Sequence, residues 1–212
     1  MAICVTNKTT QLGPLFVLTP ERYNPKRRMS LIDNNEGVLL SEIISLENEV
    51  VTSKKNTSTW HQINTSDAMG GYLRIPSTSE KINSNKKILK QGDVIISRLR
   101  PYLRQVAYVD TDKPVCASTE FYVLRARDNE SIAFLVPFLL SEAVQTVFAN
   151  SVEGSQHPRF KEEDLLNLIV PSQIFKERKK ISQEINNAII QYREYEKSLG
   201  TTINTINDIM HT

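Results

Sequence analysis

Hydrophobic and polar positions along the chain fall into three regimes. Up to about residue 126 the apolar residues come in short, β-rich runs separated by polar turns, which predicts a strand-dominated region. Phe16-Val17-Leu18, Trp60-His61-Gln62-Ile63 and Tyr72-Leu73-Arg74-Ile75 read as strands, with Asp67, Gly70 and Gly71 as turn residues between the last two. Residues 91–109 predict a hairpin: a Gly92-Asp93 turn, Val94-Ile95-Ile96, a reversal at Pro101, and a return through Val106-Ala107-Tyr108-Val109. Residues 119–125 add a strand in which Phe121 and Val123 alternate with Tyr122 and Leu124. Only residues 39–46, with Leu39, Leu40, Ile43, Ile44 and Leu46, suggest a short amphipathic helix in this part.

Helical spacing takes over after Ser131, a good N-cap residue. A main helix is expected to about Ala149, with Pro137 in its first turn, where proline is tolerated. An irregular stretch, residues 150–160, leads to a helical turn at 162–166 and a strand, Leu168-Ile169-Val170, stopped by Pro171. Beyond about Phe175 the third regime begins. Ile181, Ile185, Ala188, Tyr192, Tyr195, Leu199, Ile203, Ile206 and Met210 are spaced by steps of four and three, with one slip beside Gly200. That is a heptad seam on a helix of about 35 residues, roughly 50 Å long. A polar helix of that length needs a partner for its stripe. The expected organisation is therefore α+β: a strand-rich globular domain over residues 1–171, then a long coiled-coil helix over 172–212.

Composition narrows the function classes. At 212 residues with 24% charged and 40% hydrophobic content, the chain can bury a core and is not of disordered type. No apolar run spans a bilayer, the first residues lack a signal-peptide pattern, and the widely separated Cys4 and Cys116 suit neither a disulfide framework nor a zinc site. A cytoplasmic protein is expected. The net charge of +2 gives no global basic field, so an interaction with nucleic acid must come from local clusters.

No phosphate-binding loop, dinucleotide fingerprint or nucleophile elbow is present. Asn24-Pro25 runs into Lys26-Arg27, so it is not the Asn/Asp-Pro-Pro-Tyr/Phe motif of an adenine methyltransferase. Ser155 beside His157 is a loop pairing without a third partner, and His61 and His211 are scattered. Glu177-Arg178-Lys179 has the Glu-x-Lys spacing of metal-dependent nucleases, without a paired aspartate, and equally suits a solvated helix face. The basic clusters carry more. Arg98, Arg100 and Arg104 cap the hairpin with no acid between Asp93 and Asp110. Lys86, Lys87 and Lys90 precede it, Arg74 lies upstream, and Ser155, Gln156, His157 and Arg159 share a later loop. These residue types suit phosphates and base edges, although each cluster alone also suits a solvated surface.

With these segments laid out, the chain resembles the DNA-specificity (S) subunits of Type I restriction-modification systems. The resemblance rests on the order of the segments and covers most of the chain. Glu21-Arg22-Tyr23-Asn24-Pro25 comes first, then the helix around Val38-Leu39-Leu40-Ser41-Glu42-Ile43-Ile44. Leu89-Lys90-Gln91-Gly92-Asp93-Val94-Ile95-Ile96 matches the Lys-x-Gly-Asp strand start. Ser118-Thr119-Glu120-Phe121, Gly154-Ser155 through Arg159-Phe160, Asp164-Leu165-Leu166-Asn167-Leu168-Ile169-Val170-Pro171 and the heptad helix follow in order. A full-length S subunit has two target-recognition domains and two long helices. Here there is one of each and no internal repeat, so the chain resembles a half-subunit or a dissected half of a two-domain subunit, and the family's usual Pro-Pro/Leu-Pro and Gln ahead of the long helix is reduced to Pro171-Ser172-Gln173.

The resemblance implies a chain with no active site, cofactor or metal of its own. Its domain would read one half of a bipartite site in double-stranded DNA. Separate methyltransferase subunits using S-adenosylmethionine would modify adenine, and a motor-nuclease subunit could cut. The long helix would be spacer and docking post, pairing two copies into a homodimer. A metal-dependent nuclease using Glu177 and Lys179, or a coiled-coil adaptor binding protein, are the alternatives.

Overall fold

A computed structural model describes residues 37–53, 57–152 and 156–211 of the chain. The strand expected at Phe16-Val17-Leu18, the Glu21-Arg22-Tyr23-Asn24-Pro25 segment and the candidate Ser155 lie outside the described residues. In chain order the elements are β1 (Gly37–Leu39), α1 (Leu40–Ile43), β2 (Ile44–Glu47), β3 (Val50–Val51), β4 (Thr59–Ile63), β5 (Ala68–Met69), β6 (Tyr72–Leu73) and β7 (Glu80–Lys81). There follow β8 (Lys86–Leu89), β9 (Val94–Ser97), β10 (Val106–Tyr108), β11 (Val115–Ala117) and β12 (Phe121–Ala126). The chain continues with α2 (Leu135–Leu140), α3 (Glu142–Ala149), α4 (Glu162–Leu166), β13 (Ile169–Pro171), α5 (Ser172–Lys176) and α6 (Arg178–Met210). The mixed α+β class expected from the sequence is what the chain adopts.

The β9–β10 hairpin and the strand β12 build the centre. β9 pairs antiparallel with both β10 and β12, and β2 completes an antiparallel sheet in the order β10-β9-β12-β2. Both faces of this sheet are covered, which is why its strands read as almost continuous apolar runs. Val94, Ile96, Val106, Tyr122 and Leu124 point to a core shared with Phe134 and the helical residues Leu135, Leu139, Val144, Phe148 and Leu165. Their neighbours Ile95, Ala107, Phe121 and Val123 point the other way, against Ile63, Leu89, Val115 and Ala117 of a second sheet ordered β3-β8-β11-β4-β7. The two-residue period of the strands thus feeds two cores.

One polar device sits inside these layers. Gly92, at φ 94°, is the third residue of a turn closed by Asp93 N donating to Lys90 O at 3.1 Å, a conformation that favours glycine there. The turn delivers the 1% exposed Asp93 to Arg125 of β12, whose Nε and Nη2 reach its two carboxylate oxygens at 2.8 and 2.7 Å. Lys90 N also donates to Asp93 Oδ2, and Arg125 Nη1 donates to Glu47 of β2 at 2.9 Å. Three strands of the central sheet are therefore cross-linked at one end by a single ion network.

Two helix expectations are corrected. The 39–46 pattern is not one helix: α1 stops at Ile43 and Ile44–Glu47 pairs with β12 in the register Ala126↔Ile44 to Val123↔Glu47, so strand pairing overrides the local spacing. The expected helix to Ala149 breaks at Ser141, which is extended at ψ 148° and accepts a cap hydrogen bond from Val144 N at 3.4 Å. Pro137 falls in the first turn of α2.

The first half of the 33-residue α6 docks on the domain. Ser182 is buried, accepting from Phe134 N at 3.1 Å and donating to Ser131 O at 3.1 Å, and Ile189 is 7% exposed. Farther along, Arg193 grips Asp110 with Nε at 2.8 Å and Nη2 at 2.6 Å, and Nη2 also donates to Leu73 O. The Tyr72 ring lies 4.3 Å from the same guanidinium, and its hydroxyl hydrogen-bonds to Arg193 and Glu196. Burial raises the Tyr72 phenol well above its ordinary value. Gly71, at φ 87°, lets α2 close up, since a Cβ there would meet Val136 Cγ1 at 2.7 Å. Residues 197–210 are exposed throughout.

Replacing the buried Asp93 by alanine leaves Arg125 without its main partner, and loss of one member of a buried pair costs about 3 kcal/mol or more. The expected outcome is a lower denaturant midpoint for Asp93→Ala at an unchanged slope; a stability equal to that of the parent chain contradicts this role.

Candidate nucleic-acid interface

At the end of β9 away from Asp93 the hairpin reverses through a tight 3-10 turn, Pro101–Leu103, flanked by Arg100 and Arg104. Both arginines are left-handed, with φ 50° and 52°, and they are the only non-glycine residues in that region among the described residues. Such a conformation costs an L-residue about 1–2 kcal/mol. Backbone hydrogen bonds from Leu103 N to Arg100 O and from Arg104 N to Pro101 O, both 2.9 Å, hold the turn over the buried Pro101. The tip displays Tyr102, 63% exposed, with Leu103 and Arg104 beside it. Neither Arg100 nor Arg104 has a carboxylate partner among the described residues.

The later loop is zipped onto this hairpin. Leu99 and Arg159 form an antiparallel bridge, Arg100 N donates to Pro158 O at 2.8 Å, and Phe160 N donates to Arg98 O at 3.2 Å. The structure therefore brings Arg98, Arg100, Arg104, Gln156, His157 and Arg159 together, with Gln156 and His157 exposed at the loop's outer side. It also supplies an acid. Glu120 Oε2 accepts from Arg98 Nε at 3.1 Å and from Arg159 Nε at 2.9 Å, while Oε1 accepts from Arg159 Nη2 at 2.8 Å. The linear sequence holds no acid between Asp93 and Asp110, but the tip is not free of one in space, because the register Phe121↔Ser97 sets Glu120 opposite Arg98.

The remaining basic candidates separate. Lys87 belongs to the cluster: its Nζ donates to Asn48 Oδ1 at 2.9 Å and lies 5.9 Å from the Tyr122 ring centre. Burial, and then the charge of Arg98, pull its pKa below that of an ordinary lysine. Lys86 precedes it on β8 and so points to the opposite face, toward the buried Cys116. Burial pushes that thiol up to about 11. Lys90 lies at the Asp93 end and pairs with Glu49 at 3.3 Å. Arg74 is exposed but lines a groove of about 430 Å³ between the β5–β6 hairpin and α6, away from the tip. Lys86, Lys90 and Arg74 thus do not join the arginine tip.

The nuclease alternative gains no support from the geometry. Lys179 Nζ pairs with Glu130 at 2.6 Å, and Arg178 binds the same carboxylate at 2.9 Å. No group of three His, Cys, Asp or Glu residues is placed to hold a metal among the described residues.

On α6, the seam divides. Ile181 packs against the core, and Ile185, Ala188 and Tyr192 line the groove with Gly70 and Gly71, Tyr192 lying 4.1 Å from the Tyr72 ring. Tyr195, Leu199, Ile203, Ile206 and Met210 stay exposed, as does Ile209 beside them. The signals that sequence reading missed here are Arg193 and Asp110, which fix the helix, and Glu120, which pairs two of the tip's arginines.

No protein-family model and no curated protein matches the sequence. Solved structures do match. A chain from a structure on complex assembly and conformational transition of the type I R-M system is 24% identical, with a TM-score of 0.57 over 81% of this chain and 46% of that one. The HsdS subunit from Thermoanaerobacter tengcongensis is 20% identical, with a TM-score of 0.52 over 82% of this chain and 46% of its own. This chain has a fold found within the HsdS subunit. The match spans less than half the length of either structure.

The arginine cluster has a pH signature. Hydrogen bonds from Arg159, and then from Arg98, hold the Glu120 carboxyl below the ordinary glutamate range against the opposing effect of burial. A depressed folded value means the cluster's contribution is complete above the unfolded value of about 4.3 and is lost as pH falls through the folded one. Glu120→Gln is expected to flatten the decline of Tm below about pH 4.3; parallel Tm curves for the two proteins contradict it.

Proposed function

We propose that this chain is a non-catalytic DNA-recognition subunit of the Type I restriction-modification kind. Its arginine tip reads one half of a bipartite site in double-stranded DNA. A separate adenine methyltransferase, carrying S-adenosylmethionine, is directed to that site, as a restriction subunit could also be. The observation that carries the reading is the tip itself. Two strained arginines without a carboxylate partner among the described residues flank an exposed Tyr102, on a hairpin anchored at its other end by the Asp93–Arg125 pair. Strain of this kind collects where function demands it. Arginine suits both guanine edges and phosphate oxygens, and an exposed tyrosine suits stacking or sugar contact. The fold shared with HsdS agrees with this reading. The distal half of α6, whose exposed Leu199, Ile203 and Ile206 make a stripe without a partner among the described residues, then pairs with the helix of a second copy, giving a two-fold symmetric reader. No described helix is long and apolar enough to cross a membrane, which agrees with a cytoplasmic setting.

Duplex binding measured by fluorescence polarisation across a salt series tests the recognition site. Arg104→Ala is expected to reduce the slope of log K against log salt by about 1 if it meets a phosphate, and Arg100→Ala to cost about 1–3 kcal/mol if it meets a base. Wild-type affinity in both variants sinks this site. Co-expression with a partner adenine methyltransferase, followed by sequencing for methylated adenine, tests the role in modification. The expected result is methylation at one defined site, lost in the Arg100→Ala, Arg104→Ala double variant.

Pairing of the helix is tested by sedimentation. Ile203→Asp with Leu199→Asp, both clear of the domain, is expected to convert a dimer into a monomer without lowering the Tm of the globular part. A parent chain that sediments as a monomer overturns the homodimer.

A further inference from the structure

Glu120 stands out within the arginine tip. It is the carboxylate that pairs with Arg98 and Arg159, and its two oxygens take three guanidinium hydrogen bonds at 2.8–3.1 Å. A carboxylate and a phosphate offer an arginine the same two-oxygen edge, so the groups compete for it directly. The exposure of the partners fits such an exchange: both arginine side chains are 38% exposed, and Glu120 beneath them is 22% exposed. A ligand arriving from solvent meets the guanidiniums before the acid.

Resting on the DNA reading above, we propose that Glu120 is a specificity-determining residue, a built-in competitor for the phosphate backbone that keeps Arg98 and Arg159 closed until a fitting duplex docks. In the free protein these two cations are largely neutralised, while Arg100 and Arg104 have no carboxylate partner among the described residues. Random duplex DNA supplies phosphates, but using Arg98 or Arg159 requires breaking the Glu120 hydrogen bonds and leaving its carboxylate facing a phosphate. A matching site meets the freed carboxylate with a base amino donor, so the like-charge penalty falls on non-matching sequences alone, and a repulsion confined to the wrong partner raises discrimination. The acid is held where it can do this by the backbone and not by its own side chain. Arg98 N donates to Glu120 O at 3.0 Å, and the hairpin and loop are joined through Arg100 N to Pro158 O and Phe160 N to Arg98 O. The isosteric Glu120→Gln chain therefore keeps its framework while losing its charge.

The test uses the full chain and a fluorescent duplex of random sequence. With Glu120→Gln, freed arginines bind phosphate: affinity is expected to rise about ten-fold at low salt, and the log K against log salt slope to steepen by about 1. Duplexes retained from a random pool should give a weaker consensus than those retained by the parent. A merely structural clamp predicts the reverse, with weaker binding and an unchanged or shallower slope, and that result overturns the proposal. A second variant does not depend on Glu120 itself. Arg98→Gln should leave random-duplex affinity within about two-fold of the parent, because that charge is already masked, while Arg104→Gln weakens it by several-fold. Equal losses in both overturn the proposal. Failure of the parent, Glu120→Gln and Arg104→Gln chains alike to bind any duplex at low salt overturns the DNA reading along with it. Normal parent binding with an unaltered Glu120→Gln slope removes only the role of Glu120.

Discussion

The buried carboxylate of Asp93 is the constraint on which the layered core depends. A charge only 1% exposed is tolerable there because Arg125 meets both its oxygens and the Lys90 amide meets it from the turn. The same arginine reaches Glu47, so β9, β12 and β2 are held in one register at that end. Register matters more than usual in this sheet. With both faces buried, a one-residue slip would exchange the Val94–Ile96 core for the Ile95 core and leave neither well packed. An ion network at a fixed place in the ladder excludes that slip where apolar residues on both faces would not.

A rigid base permits a strained tip. Arg100 and Arg104 hold left-handed conformations that a free hairpin end would relax, and they keep them because the turn is hydrogen-bonded on itself and tied to Pro158. Stability gained near Asp93 thus supports an arrangement of arginines that stability alone would not select. The charge at the tip is graded. Arg98 and Arg159 share an acid, Lys87 is half-buried beside Tyr122, and Arg104 stands exposed. A protein with a net charge of only +2 can still offer a local cationic surface by placing its acids elsewhere, in the Arg125, Arg193 and Arg178 pairs that serve the fold.

The helix is governed by a comparable division. Ser182, Ile189 and Arg193 lie at spacings that turn one face to the domain, while the heptad seam runs along the adjoining face. Near the domain the two faces merge, so Ile185 and Tyr192 serve the groove. Beyond residue 196 only the seam remains, and it stays exposed. Docking of the first half sets the direction in which the second half leaves.

The strands β4, β9, β10, β12 and β13 and the long helix were legible along the chain, because alternation and heptad spacing are local properties of neighbouring residues. The Gly92-Asp93 turn was legible for the same reason, since glycine is favoured where φ is positive. The short strands β3, β7 and β11 were not, being too brief to show a period and defined by partners far along the chain. For residues 39–46, pairing with β12 decided between helix and strand, and for Ser141 a cap decided where a helix ended. The site divides in the same way. Sequence alone determined that arginines gather at the hairpin tip, because a hairpin brings its own ends together. Only the tertiary structure decided that Lys86, Lys90 and Arg74 lie apart and that Glu120 holds Arg98 and Arg159, because charges act through space and spacing along the chain does not measure it.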